Sequence, residues 1–208
     1  MRVTYLEGDP CSPKYVAGAL RRMGWEVEQA GPGTPLHLDP SSVVIVSDVP
    51  ADQLGVQAGQ IARSGAGVLL VGGWFSFGRG GWAGTELAAI APVRMQAGDD
   101  RVRRPGGIRL RRAAAHPITE GLPWDEPVVV VGHNRLDAEG DVLVDAEGVP
   151  ILVCRGRVAA FTSDLAPHWS GGLTDWGAPA LDVDVREQVG VGYAHLLDNL
   201  CRWLGRRA

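Results

Sequence analysis

The sequence predicts an α/β protein with a flavodoxin-like, doubly wound sheet that is mostly parallel and has an added antiparallel strand region. Between residues 2 and 90, short apolar segments rich in β-branched residues alternate with segments whose apolar residues recur at helical spacing. Later, two strand-like segments flank Arg155-Gly156-Arg157, a short turn typical of a hairpin. The first pattern predicts parallel strands joined by helices, and the second predicts the antiparallel addition.

The first half of the chain is predicted to alternate between strands and helices. Gly24 and Pro92 mark helix ends, because glycine readily ends a helix and proline cannot continue one. The predicted elements are a strand at 2–6, a helix containing Val16, Ala19, Leu20 and Met23, an edge-proximal strand at 25–29, a strand at 42–46, a helix containing Leu54, Ala58, Ile61 and Ala62, a buried strand at 66–71, and a short helix at 85–90.

The second half is less regular, and residues 93–127 are expected to be an insertion of loops and short strands over one end of the sheet. Its six arginines between positions 101 and 112 are expected to form a solvated face. We treat residues 1–208 as a single domain, because this length suits one α/β domain with excursions. The remaining predicted elements are strands at 128–131, 142–144, 151–154 and 158–162, and a final helix whose apolar stripe is Val189, Tyr193, Leu196, Leu197, Leu200, Trp203 and Leu204.

Composition and charge argue against several classes of function. The formal net charge of -4 gives no general attraction to nucleic acid, so no nucleic-acid partner is expected. No segment approaches the roughly 20 apolar residues that span a bilayer, and the N-terminus lacks a signal-peptide pattern. We therefore expect a cytoplasmic protein without membrane contact. The three cysteines are widely spaced and form no CxxC pair, so we predict no disulfide framework, no zinc site and no cofactor.

The predicted strand at 66–71 ends in a segment that mixes glycine with large aromatic residues, and we call residues 72–84 the glycine loop. Glycine permits positive φ and close backbone approach, while tryptophan and phenylalanine supply rigid surface. Ligands of open α/β sheets bind at the carboxyl ends of the strands, so we expect a ligand-binding cleft here. The candidate cleft residues are Gly72, Gly73, Trp74, Phe75, Phe77 and, from a later loop, Trp169.

Two arrangements would cover the aromatic residues of the glycine loop. In one, Trp169 and Trp176 from the later part of the chain pack against them. In the other, the aromatic residues are exposed and contact a partner subunit or a second copy of the chain, which makes a homo-oligomer. The residues that would form this interface are Trp74, Phe75, Phe77 and Trp82.

Two other kinds of site are considered for these loops. A phosphate-binding loop is not indicated, because no Gly-Lys-Ser/Thr sequence follows the glycines. A metal site made of His133, Asp164 and His168 would require three separate segments to converge. We therefore assign no metal.

Four segments carry a resemblance to a known family. They are Gly73-Trp74-Phe75-Ser76-Phe77-Gly78, His116-Pro117-Ile118-Thr119-Glu120-Gly121-Leu122, Phe161-Thr162-Ser163-Asp164-Leu165-Ala166-Pro167-His168-Trp169 and Leu200-Cys201-Arg202-Trp203-Leu204. In this order they resemble the putative glutamine amidotransferase family, which belongs to the class I glutamine amidotransferase-like superfamily. The resemblance covers most of the chain.

Active members of that superfamily use a cysteine on a sharp strand-to-helix turn, a histidine after a later strand, and a nearby carboxylate. The thiolate attacks the glutamine amide, the imidazole shuttles the proton, and backbone N–H groups stabilise the oxyanion. The resemblance implies that His168 is the histidine. The turn at 72–76 contains no cysteine, and Ser170 stands two residues after the histidine, where active members commonly carry glutamate.

The sequence therefore predicts a glutamine amidotransferase-like protein that lacks the turn cysteine and serves as a non-catalytic binding or assembly module. Its expected ligand is a small amide or an amino-acid-like molecule. The alternative is an amidohydrolase or amidotransferase in which Ser76 or Cys11 is the nucleophile and acts with His168 and Asp164. Cys11 follows the first predicted strand near a helix N-terminus, where the helix dipole favours a thiolate.

Overall fold

The computed structural model describes residues 2–10 and 12–206. Its first half alternates between strands and helices. These elements are β1 (Arg2–Glu7), α1 (Pro13–Arg22), β2 (Glu26–Ala30), β3 (Val43–Ser47), α2 (Ala51–Leu54), α3 (Val56–Arg63), β4 (Gly67–Val71) and α4 (Glu86–Ile90). The second half is richer in strands. It contains β5 (Val93–Arg94), β6 (Arg101–Arg109), β7 (Arg111–Arg112), β8 (Val129–Asn134), β9 (Asp137–Ala138), β10 (Asp141–Ala146), β11 (Val149–Arg155), β12 (Val158–Phe161), α5 (Pro167–Thr174), β13 (Ala180–Asp184), β14 (Glu187–Gly190) and α6 (Val191–Leu204).

The central sheet has eight strands in the order β2-β1-β3-β4-β12-β11-β10-β7. The strands from β2 to β12 pair in parallel, and the pairings from β12 to β7 are antiparallel. A flavodoxin-like, doubly wound sheet has the parallel strand order 2-1-3-4-5. The order β2-β1-β3-β4-β12 matches it, with β12 as the fifth parallel strand, and β11, β10 and β7 form the antiparallel extension. The predicted fold class is confirmed.

Helices cover both faces of the sheet, and alternate residues of each central strand enter opposite cores. In β3, Val43 and Ile45 lie in the core that contains α1 and α6. Val44 and Val46 lie in the core that contains α2, α3 and α4. A strand covered on both faces needs apolar side chains on both, which accounts for the continuous apolar runs in the sequence. Within the described residues, no helix is long and apolar enough to cross a membrane.

Strands β6 and β8 form a separate antiparallel pair, which we call the arginine ribbon. The pairing shifts between Arg103 and Ile108, where Pro105-Gly106-Gly107 interrupts the ladder and Gly107 has a φ of 71°. Proline has no backbone N–H and cannot donate a hydrogen bond to the neighbouring strand, so the pairing of β6 with β8 is interrupted at Pro105. The sequence predicted only short strands in 93–127, whereas β6 is nine residues long.

Three local differences from the sequence prediction concern helices. Helix α5 contains Trp169, which was expected on a loop. The helix begins at Pro167, and proline suits this first position because an N–H there would have no partner within the helix. Gly55, with a φ of 50°, divides the predicted second helix into α2 and α3. Val189 lies in β14 instead of the final helix.

Candidate functional site

The carboxyl ends of β1, β3, β4 and β12 lie at one edge of the sheet and surround a cleft. The glycine loop lies beside the segment that enters α5, and the ring centroids of Trp74 and Trp169 are 6.3 Å apart. Two hollows share Trp74 and His168 in their linings. The acidic hollow, about 270 Å³, is lined by Gly8, Asp9, Pro10, Asp48, Trp74, Phe75 and His168. The basic hollow, about 360 Å³, is lined by Trp74, Arg103, Pro105, Val131, His168 and Trp169.

Buried polar side chains fix the glycine loop beside this cleft. Asn134, at the end of β8, accepts a hydrogen bond from the Gly73 N–H at 3.0 Å and donates one to the Gly73 carbonyl at 3.3 Å. Asp100 accepts a hydrogen bond from the Asn134 amide at 3.1 Å. It also accepts the backbone N–H groups of Gly78 and Arg79, both at 3.1 Å. The arginine ribbon and the residue just before it therefore determine the shape of the loop.

The later aromatic residues of the glycine loop lie in the core. Phe77 and Trp82 are fully buried with their ring centroids 5.0 Å apart, and Trp82 Nε1 donates to the Val49 carbonyl at 2.7 Å. The prediction that Phe77 lines the cleft is wrong, as is the alternative that these two residues form an exposed interface. Trp176 contacts Trp124, with centroids 4.9 Å apart, so its predicted packing on the glycine loop is also wrong.

Ser76 is fully buried, and its hydroxyl oxygen accepts the backbone N–H of Asp48 at 3.1 Å. The structure therefore does not expose this hydroxyl to a substrate, contrary to the alternative in which Ser76 is the nucleophile. Asp48 lies in the left-handed region at a φ of 54°, and its Oδ1 accepts the Phe75 N–H at 2.5 Å. A Cβ at position 73 would lie 2.6 Å from that oxygen, so only glycine fits this position without a shift of the neighbouring atoms.

Two carboxyl groups that follow β1 and β3, those of Asp9 and Asp48, line the acidic hollow. Asp9 Oδ2 lies 2.9 Å from His168 Nε2, within hydrogen-bond distance. Burial raises the pKa of Asp48 and raises that of Glu7, which accepts a hydrogen bond from the Tyr5 hydroxyl, to about 8. Burial therefore favours the protonated, neutral forms of Asp48 and Glu7.

His168 and Asp164 lie near each other but have different hydrogen-bond partners. The His168 side chain is half exposed and contacts Asp9. Asp164 is buried and accepts the backbone N–H of Trp169 at 3.0 Å, which stabilises the first turn of α5. Burial raises the pKa of Asp164 to about 7. The predicted carboxylate therefore orients α5 and Trp169, and a different carboxylate contacts the imidazole.

Two arginines of the ribbon lie over the indole of Trp74 in the basic hollow. The guanidinium carbons of Arg101 and Arg103 are 4.6 Å and 4.8 Å from the ring centroid, which are cation–π distances. Asp99 pairs with Arg101 through two hydrogen bonds at 2.8 Å and 2.7 Å. Arg103 makes no ion pair with any residue in the described ranges. Arg103 is exposed, as expected for a solvated face, whereas Arg101 is partly buried.

The remaining candidate residues do not form a second centre. Cys11 lies outside the described residues, so the alternative that names it stays a prediction. His133 is buried on β8 with its Nδ1 3.1 Å from the Asn134 carbonyl oxygen. Among residues 2–10 and 12–206, no three side chains of the metal-binding types converge, so His133, Asp164 and His168 do not make a metal site. Cys154 and Cys201 are buried, and burial raises the pKa of both thiols.

Sequence reasoning missed Asp9, Asp48, Asn134, Asp100 and Arg103. Two of them had a usable signal, because Asp9 and Asp48 follow the predicted strands 2–6 and 42–46 by three and two residues, and the carboxyl ends of these strands share one edge of the sheet. Arg103 had a weaker signal. It follows Arg101 and Val102 in a polar-apolar alternation that indicates a strand, but Pro105-Gly106-Gly107 interrupts the pattern. Asn134 and Asp100 act through contacts between distant segments, which periodicity does not reveal.

The fold and the cleft define an α/β protein of the doubly wound class with a ligand-sized hollow at the carboxyl edge of its sheet. Residues 31–182, more than half of the chain, match the family described as "Putative glutamine amidotransferase", and the chain belongs to that family. The resemblance identified in the sequence is confirmed. A search among curated proteins gave no match.

Solved structures support the fold. The cytoplasmic protein STM3548 from Salmonella typhimurium is 21% identical with a TM-score of 0.78, covering 97% of this chain and 98% of that one. The cytoplasmic protein STM1381 from Salmonella typhimurium LT2 is 24% identical with a TM-score of 0.71, covering 81% of this chain and 90% of that one. A chain of PurLQS from Thermotoga maritima is 11% identical with a TM-score of 0.53, covering 98% and 99% of the respective chains. At these identities the likeness shows the fold alone.

Proposed function

We propose that this protein binds a small ligand in the cleft between the glycine loop and α5, and that it is not a glutaminase. The observation that carries the proposal is the turn after β4. Its sequence contains no thiol, its Ser76 hydroxyl is buried, and Trp74 lines both hollows. A turn built in this way supplies a binding wall and no accessible nucleophile.

The backbone of the same turn also argues for binding. Acyl transfer requires N–H donors that are free to stabilise an oxyanion. Here the Gly73 N–H is bonded to Asn134, and the Phe75 N–H is bonded to the Asp48 carboxylate. A carboxylate beside a developing oxyanion would oppose the charge that forms there.

The ligand class that we propose is a small amide or an amino-acid-like molecule. The two hollows have volumes of about 270 and 360 Å³, which suit such molecules. We further infer a cytoplasmic location, since two structural neighbours are described as cytoplasmic proteins. Association with a second copy or a partner subunit also stays a proposal, and the exposed Phe75 is the glycine-loop residue that favours it.

A second candidate function is thiol-dependent amide hydrolysis by Cys11 with His168. One observation favours it. Asp9, which contacts His168, and Pro10, which lines the acidic hollow, immediately precede Cys11 in the chain. An imidazole near a thiol is the arrangement that activates a cysteine nucleophile.

Ammonia release from L-glutamine separates the two functions. We expect none from the wild-type protein, from Cys11→Ser or from His168→Ala. The matched control is Cys201→Ser, which changes a thiol that is fully buried in the core. Ammonia release by the wild type and Cys201→Ser that is lost in Cys11→Ser and His168→Ala would replace the binding proposal with the second candidate.

A further inference from the structure

We propose that the basic hollow binds a planar group that carries an oxyanion, either a carboxylate or a phosphate. In this arrangement Arg103 contacts the oxyanion and the aromatic wall made by Trp74 and Trp169 contacts the planar group. The inference rests on the proposed binding role of the cleft, and it adds the chemistry that the ligand must have.

The charge on Arg103 is the first argument. Its neighbour on the same face of the ribbon, Arg101, is neutralised by a two-point contact with Asp99. On the short strands β5 and β7, Arg94 pairs with Asp137 and Arg111 pairs with Asp145. Arg103, Arg104 and Arg109 of the ribbon make no ion pair with any described residue, and of these three only Arg103 lines the basic hollow. An oxyanion placed in this hollow would lie beside an exposed guanidinium that has no carboxylate partner among the described residues.

The geometry of the guanidinium is the second argument. The guanidinium carbon of Arg103 lies 4.8 Å from the centroid of the Trp74 ring, and this contact restrains the side chain. No described carboxylate occupies the N–H donors of Arg103, and those donors match the two oxygens of a carboxylate or phosphate. Because the side chain is already held, less conformational entropy is lost on binding.

The surroundings are the third argument. A hollow of about 230 Å³ on the Arg101 side and the basic hollow both border Arg103, Trp74 and Trp169, so this cationic and aromatic surface is open on two sides. Pro105 and Val131 give the basic hollow apolar walls that suit a ring.

Three small probes test the charge requirement. Benzoate and phenyl phosphate are planar rings with the two oxyanions, and benzamide is the neutral isostere of benzoate. Binding is followed by the indole N–H signals in NMR, with Trp74 and Trp169 assigned by Trp→Phe variants. We expect benzoate or phenyl phosphate to shift both signals at concentrations where benzamide does not. The tighter of the two oxyanions identifies the ligand as a carboxylate or a phosphate.

The matched pair of variants is Arg103→Gln and Arg104→Gln. Arg104 is next in the same strand, carries the same charge, and lies near His133 on the other face of the ribbon. Losing a charge-assisted hydrogen bond should weaken oxyanion binding about tenfold or more in Arg103→Gln. Arg104→Gln should bind as the wild type does.

Three results would overturn this inference. They are equal binding of benzamide and benzoate, equal losses in the two arginine variants, and unshifted Trp74 and Trp169 signals with all three probes. None of these results bears on the glutaminase question, because the proposed absence of that activity is tested separately by ammonia release. Failure of the oxyanion inference and failure of the proposed function are therefore distinguishable.

Discussion

The two ends of the glycine loop use the same types of residue for different purposes. Trp74 and Phe75 lie at the cleft, where Trp74 contacts Trp169 and two arginines. Phe77 and Trp82, only a few residues later, are fully buried in the core. The change in direction occurs at Phe77, which has a φ of 47°. Backbone geometry and hydrogen bonding to the loop, and not its aromatic composition, decide which residues can contact a ligand.

The core end of the loop should be the more important for stability. Trp82→Ala removes a fully buried indole and leaves the Val49 carbonyl without its donor, so unfolding free energy should fall by about 3 to 5 kcal/mol. Chemical denaturation measures this loss, and Trp203→Ala, at a partly buried indole, should cost less. The solution mass should be unchanged, because Trp82 packs within its own chain. A loss below about 1 kcal/mol would contradict the core assignment.

The contact between the loop and the arginine ribbon should come next in size. Asn134→Ala leaves the Gly73 N–H without its acceptor in a buried setting, so unfolding free energy should fall by about 1 to 3 kcal/mol. The control is Asn199→Ala, which removes an amide that donates two hydrogen bonds, to the carbonyls of Ile118 and Glu120, and none to the glycine loop. Only Asn134→Ala should also shift the Trp74 indole signal. If both variants leave that signal in place, Asn134 does not position the cleft end of the loop.

A smaller effect should appear in the pH dependence of stability. The folded-state pKa of Asp164 is raised by burial to about 7, above its ordinary value. The folded protein therefore holds this proton more tightly than the unfolded chain, and Asp164 makes stability fall as pH rises from about 4 to about 7. Asp164→Asn stays neutral and can still accept the Trp169 N–H. The stability advantage of the variant over the wild type should therefore grow between pH 5 and pH 7, by at most about 1.4 kcal/mol per pH unit.

Denaturation at several pH values tests this prediction. Glu7 also has a raised pKa, but it titrates in both proteins and cancels in their difference. Tyr193 loses its electrostatic interaction with Asp164 in the variant, but burial keeps the pKa of Tyr193 well above this pH range. A stability difference that stays constant from pH 5 to pH 8 would mean that Asp164 does not titrate in this range. Asp164 accepts the Trp169 N–H, and Trp169 lies beside Trp74, so this effect concerns the cleft end of the glycine loop.

Much of the fold could be predicted from the sequence because its signals are local. Strands β3 and β4 are short apolar runs, and α1 and α6 carry apolar stripes that need only 3.6-residue spacing to be recognised. Strand β6 was missed as a long strand because Pro105-Gly106-Gly107 breaks its alternation. Helix α5 was missed because its two glycines are unfavourable in a helix. Its first turn is stabilised by Pro167 at the start and by the buried Asp164, which accepts the Trp169 N–H.

The site could be predicted only in part, for a physical reason. The edge of the sheet, the glycine loop and Trp169 follow from strand order and composition. Trp74 and Phe77 diverge within a loop in which Gly73, Phe77 and Gly81 have positive φ angles. The positions of Asn134 and Arg103 depend on a ribbon that lies outside the main sheet. These are contacts between distant parts of the chain, and no residue pattern in one segment encodes them.

The most direct measurement of the central claim is a comparison of stability and oxyanion binding in Trp74→Ala. If Trp74 is a wall of the binding cleft and not a core residue, unfolding free energy should fall by no more than about 1 kcal/mol, because the side chain is only partly buried. Benzoate or phenyl phosphate should then no longer shift the Trp169 indole signal. A Trp74→Ala variant that is as unstable as Trp82→Ala and still binds the oxyanion probes would contradict the account.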